Sequence, residues 1–313
     1  MNNTPKISDI KSAHERIKPF INKTPVLTSS YLNKLSGAEL YFKCENFQKV
    51  GAFKFRGATN AVLSLSSDEL KNGVVTHSSG NHAAALALAA KNAGTKAYIV
   101  MPDNAPQIKK NAVADYCGII TFCKPTLEAR ENTANEIIEK TNATFIHPYD
   151  NEKIIAGQGT ACLELLEQIT GLDTIIAPVG GGGLLSGTSI VAKANSLQVI
   201  AAEPKNADDA FQSFYSDKFV PSTNPNTIAD GLLTSLSDLT FSIIQQNVDD
   251  IYTVTETEII EAMRLVWKRM KIIIEPSSAT VLAAVLANKE KFKNKKIGLI
   301  ISGGNVDLEK LPY

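Results

Sequence analysis

The 313-residue sequence lacks an excess of either charge and lacks any long apolar run. Lysine plus arginine and aspartate plus glutamate each total 32, so the formal net charge is zero. Such a balance does not favour a nucleic-acid or membrane surface. No apolar segment approaches the roughly 18 residues that a membrane span requires, and residues 1–6 lack the apolar core of a signal peptide. We therefore expect neither nucleic acid nor a membrane as a partner.

Cysteine is also scarce, and no two cysteines form a CxxC pair; the four are Cys44, Cys117, Cys123 and Cys162. Since disulfide frameworks and redox motifs need closer patterning, we expect reduced, mostly buried thiols in a cytoplasmic enzyme. The GxGxxG and GxxxxGK[ST] motifs are absent as well, which disfavours NAD binding and P-loop chemistry.

What the sequence does contain is an alternation of short β-branched apolar runs with helical stretches. The runs that predict buried parallel strands are 74–76, 97–100, 119–122, 174–179, 199–202 and 297–301. Helices are predicted over 82–93, 127–141 and 256–271, the first ended by Gly94. This alternation predicts an α/β fold with parallel sheets.

Three predicted strands lead into small polar or glycine-rich loops, over 77–82, 180–188 and 302–305. Because ligands bind at the carboxyl ends of strands in open α/β sheets, we expect these loops to converge. Four consecutive glycines, Gly180, Gly181, Gly182 and Gly183, let successive amides face a phosphate ahead of a helix. A flexible turn is the alternative, but so many glycines lose much conformational entropy on folding.

The run Ser78-Ser79-Gly80-Asn81-His82 places hydroxyl and amide donors at another predicted helix start. It suits a substrate carboxylate, and it equally suits an elaborate helix N-cap. Lys54 lies between Phe53 and Phe55, where desolvation would lower its pKa, although most lysines are solvated surface residues. A lysine amine and a phosphate cradle together suggest pyridoxal phosphate, which needs an amine for a Schiff base and amides for its phosphate.

Together these motifs resemble fold-type II (tryptophan synthase β-like) pyridoxal-phosphate enzymes, and in particular serine racemases and the related serine/threonine and threo-3-hydroxyaspartate dehydratases. The segments that carry the resemblance are 53–58, 78–82, 157–160, 180–183, 202–209 and 302–308. The resemblance implies two α/β domains, with parallel or mixed sheets and the cofactor in the cleft between them. It implies a large domain of residues 1–72 plus 148–313 and a small domain of residues 73–147. A homodimer is usual for that family.

The resemblance also implies roles for individual residues. The cofactor would be bound by Phe53 against its ring, Lys54 through the covalent bond, Asn81 at the 3-hydroxyl, Gly180–Gly183 at the phosphate, and Ser302 at the pyridine nitrogen. The amino-acid substrate would be bound by Ser78, Ser79, Asn81, His82 and Arg130. A divalent cation, Mg²⁺ or Ca²⁺ or Mn²⁺, would be held by Glu203, the Ala207 carbonyl and Asp209.

Two of these residues bear on which reaction is catalysed. Racemisation needs proton donors on both faces of a planar carbanion, and by resemblance Lys54 and Ser79 would be the two. The resemblance therefore implies a serine racemase that also dehydrates serine and threonine. Two alternatives stay open: a threo-3-hydroxyaspartate dehydratase, in which Arg130 meets a second carboxylate, and a catabolic serine/threonine dehydratase without racemase activity. Arg130 as a solvated helix residue stays open too.

Overall fold

The computed structural model describes residues 4–309 and residue 311, and its alternating strands and helices confirm the predicted α/β class. The strands are β1 (Val26–Leu27), β2 (Glu39–Cys44), β3 (Val74–His77), β4 (Ala97–Pro102), β5 (Ile119–Cys123), β6 (Thr144–Phe145), β7 (Thr174–Pro178), β8 (Gln198–Pro204), β9 (Asp250–Val254) and β10 (Lys296–Ile301). The helices are α1 (Ile7–Ile17), α2 (Ser30–Ser36), α3 (Lys54–Leu63), α4 (Ser67–Asn72), α5 (Asn81–Asn92), α6 (Gln107–Asp115), α7 (Leu127–Thr141), α8 (Glu152–Gln168), α9 (Gly183–Ala194), α10 (Asp209–Ser216), α11 (Asp238–Asn247), α12 (Glu256–Met270), α13 (Pro276–Ala287) and α14 (Lys289–Phe292).

The strands form two sheets. The larger sheet has the order β1-β2-β10-β7-β8-β9, and only the β1–β2 pair is antiparallel. The smaller sheet has the order β5-β4-β3-β6 and is parallel throughout. Every predicted strand is present, whereas β1, β2, β6 and β9 were not predicted. β2 escaped notice because Lys43 interrupts its apolar run.

The larger sheet is covered on both faces, as its apolar strands require. Ile176 of β7 packs on the face that carries α13, whereas its neighbours Ile175 and Ala177 pack on the face that carries α8 and α9. This alternation follows from the two-residue period of a strand. Parallel strands with helices on both faces place the loops after β7 and β10 at one edge of the sheet.

The core of the smaller sheet extends across the predicted domain boundary at residues 72/73. Phe55 and Val62 of α3 belong to the same buried cluster as Val74 of β3 and Ile99 of β4. The two sheets hold the segments expected of a large and a small domain, but the division at that residue stays a proposal.

The four cysteines were expected to be reduced and mostly buried. All four thiols are free, but only Cys44 and Cys162 are buried, whereas Cys123 is half-buried and Cys117 is exposed.

The described helices also bear on the membrane expectation. Within residues 4–309 and 311, no helix has both the length and the apolar character needed to cross a bilayer.

A cluster of buried charges joins β2, α3 and α8. Arg56 donates to both carboxylate oxygens of Glu45, at 2.7 and 2.8 Å, and to Glu164 at 3.0 Å. Lys43 donates to Glu164 at 2.5 Å and to the carbonyl of Thr24 at 2.8 Å. The side chains of Lys43, Glu45 and Arg56 are 0% exposed and that of Glu164 is 4% exposed. Such charges are tolerated in the interior only when each one is paired.

We predict that Arg56→Met lowers the free energy of unfolding by roughly 3–5 kcal/mol, because it leaves the Glu45 carboxylate buried and unpaired. Urea denaturation followed by circular dichroism measures the change. The double variant Arg56→Met/Glu45→Gln should recover part of the loss, since it removes the stranded charge.

The matched control is Lys71→Met. Lys71 forms an ion pair of 2.8 Å with Asp68, but the two side chains are 75% and 90% exposed. We expect this substitution to change stability by less than about 0.5 kcal/mol. Equal losses of unfolding free energy in Arg56→Met and Lys71→Met would show that the buried cluster stabilises the fold no more than an exposed ion pair does.

Candidate active site

Lys54 is the first residue of α3, and its amine is held in a half-buried setting. The Nζ atom donates to the carbonyl of Pro148 at 2.9 Å and lies 5.1 Å from the centroid of the Phe53 ring. Burial lowers the pKa of this amine to about 8, although the charge of Glu275 opposes the shift. A larger fraction of the amine is therefore unprotonated near neutral pH than for an ordinary lysine.

The segment before Lys54 is paired with the loop that follows β10. The N–H of Phe53 donates to the carbonyl of Ser302 at 2.9 Å, and the N–H of Gly304 donates to the carbonyl of Gly51 at 2.9 Å. One residue further on, the side-chain amide of Asn305 donates to the carbonyl of Val50 at 2.7 Å. These contacts bring the predicted lysine and serine motifs together and fix where α3 begins.

The tetraglycine loop leads from β7 into α9. Gly180, Gly181, Gly182 and Gly183 are buried, and their N–H groups donate to no acceptor among the described residues. Buried backbone donors are nearly always bonded, so a run of unbonded ones ahead of a helix is suited to an anionic ligand. The loop admits no larger residues: Gly182 has a φ of 84°, and a Cβ on Gly181 would lie 2.3 Å from Tyr149. The residues present fit a phosphate group.

Ser302 directly follows β10 and lies in a buried hydroxyl network. Its Oγ lies 2.9 Å from the Oγ of Ser278, which also accepts from the N–H of Gly303 at 2.7 Å. A neutral hydroxyl at this position fits the pyridine nitrogen predicted for it, and it would leave a ring there less fully protonated than a carboxylate would. Ser278 was not predicted from the sequence, because its contact with Ser302 joins residues that are 24 positions apart.

The segment 78–82 links β3 to α5 and presents several unbonded donors. The Ser79 hydroxyl has no hydrogen bond to another described residue, and the N–H groups of Asn81 and His82, the first two of α5, have no acceptor there either. A helix start of this kind suits a carboxylate. The His82 side chain is buried instead, with Nε2 3.2 Å from the Ile146 carbonyl, so its backbone N–H is the part placed for a ligand.

The Asn81 side chain is fixed from both ends. Its Nδ2 atom donates to both carboxylate oxygens of Glu275 at 3.1 Å, and its Oδ1 atom accepts from Asn305 at 2.9 Å. Burial, followed by the charge of Asp230, raises the pKa of Glu275 to about 7. Sequence reasoning missed Glu275. The only signal was its place before Pro276, which marks a helix start but no function.

Arg130 lies in the first turn of α7, which packs beside β3. Its Nε atom donates to the Thr126 carbonyl at 3.3 Å. Burial lowers the pKa of His77, the last residue of β3, and the charge of Arg130 lowers it further. His77 in turn lies 6.1 Å from His147, measured between ring centroids.

The predicted cation ligands meet where β8 leads into α10. Burial raises the pKa of Glu203 well above its usual value, and the neighbouring Asp209 raises it further. Burial likewise raises the pKa of Asp209 to about 6, and its Oδ2 atom is buried without a partner among the described residues. Both Glu203 oxygens accept backbone hydrogen bonds, from the N–H groups of Ala210 at 2.9 Å and Phe211 at 2.8 Å, so Asp209 Oδ2 is the unpartnered oxygen here that suits a cation. No cluster of three or more His, Cys, Asp or Glu side chains suited to a metal occurs in the described chain.

Comparison with known proteins places these features in context. The family model described as pyridoxal-phosphate dependent enzyme matches residues 17–303. A serine racemase from Dictyostelium discoideum is 57% identical, over 98% of this chain and 97% of its own. The beta-hydroxyaspartate dehydratase of Paracoccus denitrificans is 51% identical, over 99% of both chains. The crystal structure of the Dictyostelium enzyme superposes with a TM-score of 0.94, covering 98% of this chain and all of that one.

These matches confirm the predicted enzyme class and the predicted fold type. They span the lysine, the tetraglycine loop and the serine after β10 within one continuous alignment. The chain belongs to the family of pyridoxal-phosphate-dependent enzymes.

Proposed function

We propose that this protein is a serine racemase that also dehydrates serine and threonine. The observation that carries the proposal is that the chain offers both a lysine amine of lowered pKa, on Lys54, and a serine hydroxyl without a partner among the described residues, on Ser79 just before α5. The serine racemase of Dictyostelium, at 57% identity over nearly the whole chain, supports the same reading.

Four parts of the candidate site would hold the cofactor. Lys54 would form the covalent bond, the N–H groups of Gly180–Gly183 would bind the phosphate, and Ser302 would meet the pyridine nitrogen. Asn81, oriented by Glu275 and Asn305, would meet the 3-hydroxyl. When bound, pyridoxal phosphate stabilises the negative charge that develops on Cα after a proton is removed.

Two residues would then move protons at that carbon. The Lys54 amine takes the α-proton from one face, and its lowered pKa keeps it competent as a base near neutral pH. The Ser79 hydroxyl returns a proton to the opposite face, which inverts the configuration. If the β-hydroxyl leaves first as water, hydrolysis of the product yields a 2-oxo acid and ammonia. Racemisation therefore needs both residues, whereas dehydration of L-serine needs the lysine alone.

We predict that Ser79→Ala lowers racemisation of L-serine by about 100-fold or more, the usual contribution of one acid–base group. Dehydration of L-serine should fall by less than about tenfold. Chiral chromatography of the remaining serine and an assay of the 2-oxo acid measure the two reactions in one mixture.

The control for this prediction is Lys54→Ala, which should abolish both reactions together with the visible absorbance of the bound cofactor. If Ser79→Ala suppresses both reactions to the same extent, the two-base assignment is wrong. If Lys54→Ala keeps the visible absorbance, the cofactor assignment is wrong.

A second candidate function is the dehydration of threo-3-hydroxyaspartate. It is favoured by Arg130 on α7, the helix beside β3, because a guanidinium can pair with a second carboxylate and the charge of Arg130 already lowers the pKa of His77 at the end of that strand. The 51% identity to the beta-hydroxyaspartate dehydratase of Paracoccus supports this candidate.

We predict that Arg130→Met lowers kcat/KM for threo-3-hydroxyaspartate by roughly 10- to 100-fold, the value of a hydrogen bond to a charged group. Serine has no second carboxylate, so its kcat/KM should change by less than about threefold. Arg130→Lys keeps the charge but loses the bidentate geometry. Its kcat/KM for threo-3-hydroxyaspartate should therefore lie between the values of the unaltered protein and of Arg130→Met. Equal losses of kcat/KM for threo-3-hydroxyaspartate and for serine would contradict the role of Arg130 on which this second candidate function rests.

We further propose that Glu203, the Ala207 carbonyl and Asp209 bind Mg²⁺ or a similar cation. Because the pKa of both carboxylates is raised in the folded protein, the metal-free fold retains protons that the unfolded chain has released. Its stability therefore falls as the pH rises from the ordinary carboxyl range through about 6, the pKa of Asp209. A cation would remove this loss.

We predict that, in EDTA, the melting temperature falls between pH 5 and pH 8. Mg²⁺ at about 100-fold above its Kd should raise the melting temperature by about 5 °C at pH 8 and by little at pH 5. Asp209→Asn should abolish the response, whereas Asp208→Asn should retain it, because Asp208 accepts a hydrogen bond from Gln212 instead. An unchanged Mg²⁺ response in Asp209→Asn would exclude this site.

A further inference from the structure

The turn of residues 147–150 lies between β6 and α8 and contacts two parts of the candidate site at once. Pro148 accepts the hydrogen bond from the Lys54 amine, and the Tyr149 ring lies against Gly181 of the tetraglycine loop. His147 begins the turn, and neither the cofactor assignments nor the two-base mechanism gives it a role.

The His147 ring closes this turn with its own side chain. Its Nδ1 atom accepts from the N–H of Asp150 at 2.8 Å and from the N–H of Tyr149 at 3.3 Å. Backbone N–H groups only donate, so Nδ1 carries a lone pair and the ring proton is on Nε2. Burial lowers the pKa of His147 to about 4, which keeps the ring neutral and keeps Nδ1 an acceptor at neutral pH.

The carbonyl of Pro148 lies inside the loop that the His147 ring closes. Proline has a fixed φ and no N–H of its own, so it cannot anchor the turn by donating a hydrogen bond. The Pro148 carbonyl and the Tyr149 N–H belong to one planar peptide unit, so the bond from that N–H to His147 Nδ1 helps to set the direction of the carbonyl. That carbonyl is the acceptor of the one hydrogen bond that Lys54 Nζ makes within the described residues, at 2.9 Å.

We propose that His147 is a positioning residue, which closes the 147–150 turn so that the Pro148 carbonyl holds the free amine of Lys54 in place for reaction. The inference rests on the proposed function. With pyridoxal phosphate bound to the amino group of the substrate, the Lys54 amine would be free and would have to take the α-proton. A lysine side chain is long and flexible, and an acceptor on a closed turn restricts where its amine lies.

The same turn couples the lysine to the tetraglycine loop. The rings of His147 and Tyr149 meet edge to face, with centroids 4.6 Å apart. Tyr149 packs so closely on Gly181 that a Cβ there would lie 2.3 Å from its ring. An open turn would displace both the acceptor of the lysine amine and the wall of the phosphate loop. A closed turn fixes the distance between the two ends of the cofactor site.

Two amide substitutions separate this role from simple packing. The side-chain oxygen of asparagine reaches about as far as histidine Nδ1, whereas that of glutamine reaches about as far as Nε2. His147→Asn therefore keeps an acceptor for the two N–H groups, and His147→Gln moves it. Both are neutral and polar, and His147→Phe adds a variant with a ring and no acceptor.

The first measurement is the rate at which added pyridoxal phosphate forms the visible absorbance with the apoenzyme, which reports on the free amine of Lys54 without substrate. We expect His147→Asn to stay within about threefold of the unaltered protein, and the Gln and Phe variants to be slower by about 10- to 100-fold. With serine, kcat should fall to a similar extent at nearly constant KM. The isotope effect of serine deuterated at Cα should rise, because proton removal becomes the slow step.

Melting temperatures of the apoenzymes control for loss of structure. If His147→Phe does not fold, the Asn and Gln pair carries the test alone. Asn and Gln variants that react equally fast, or that are equally impaired, would overturn the positioning role. If the unaltered protein itself forms no visible absorbance, it is the proposed function that fails, and the two failures are thereby distinguished.

Discussion

The buried cluster of Lys43, Glu45, Arg56 and Glu164 is the constraint on which the rest of the site depends. Each side chain in it is at most 4% exposed, and each charge is offset by an oppositely charged partner on another segment of the chain. Strand β2 and helices α3 and α8 can therefore not slide past one another without stranding a charge in the interior. Arg56 lies two residues after Lys54, which is the first residue of α3. The cluster therefore also fixes the position of the helix start that carries the lysine amine.

Around that fixed helix, the site is assembled from the ends of three strands. Loops after β3, β7 and β10 supply the unbonded Ser79 hydroxyl, the tetraglycine amides and the Ser302 hydroxyl, and the 147–150 turn contributes a carbonyl and a ring. The Ser79 hydroxyl and the buried N–H groups of the tetraglycine loop have no partner among the described residues, whereas the Ser302 hydroxyl bonds to Ser278 and the Pro148 carbonyl bonds to Lys54. Because proteins pair nearly all of their buried polar groups, the unbonded amides indicate that the site suits an anionic ligand.

Much of this was predictable from the sequence, and the exceptions have physical reasons. Strands with continuous β-branched runs were predicted, whereas β2 was missed because a buried lysine looks like a surface residue until its partners are known. Lys43 and Glu164 are 121 residues apart in sequence, and no local pattern reveals such a pair. Four adjacent glycines predicted a phosphate site, and that role stays a prediction, although their buried and unbonded N–H groups fit it. Glu275 did not, because a single glutamate before a proline resembles any helix cap. His82 was predicted correctly as a helix residue, but its phase on α5 buries the side chain.

The pairing of the segment before Lys54 with the loop after β10 has a consequence for how the protein is made. Val50 and Asn305, which this pairing joins, are 255 residues apart in sequence. At ribosomal speeds of about 5–20 residues per second, roughly 10 to 50 s pass between their synthesis. Throughout that interval β2 lacks its parallel neighbour β10, and the growing chain carries an open sheet edge beside an unanchored lysine. The candidate active site is therefore one of the last features to form. Until then, the open edge of β2 exposes the nascent chain to aggregation.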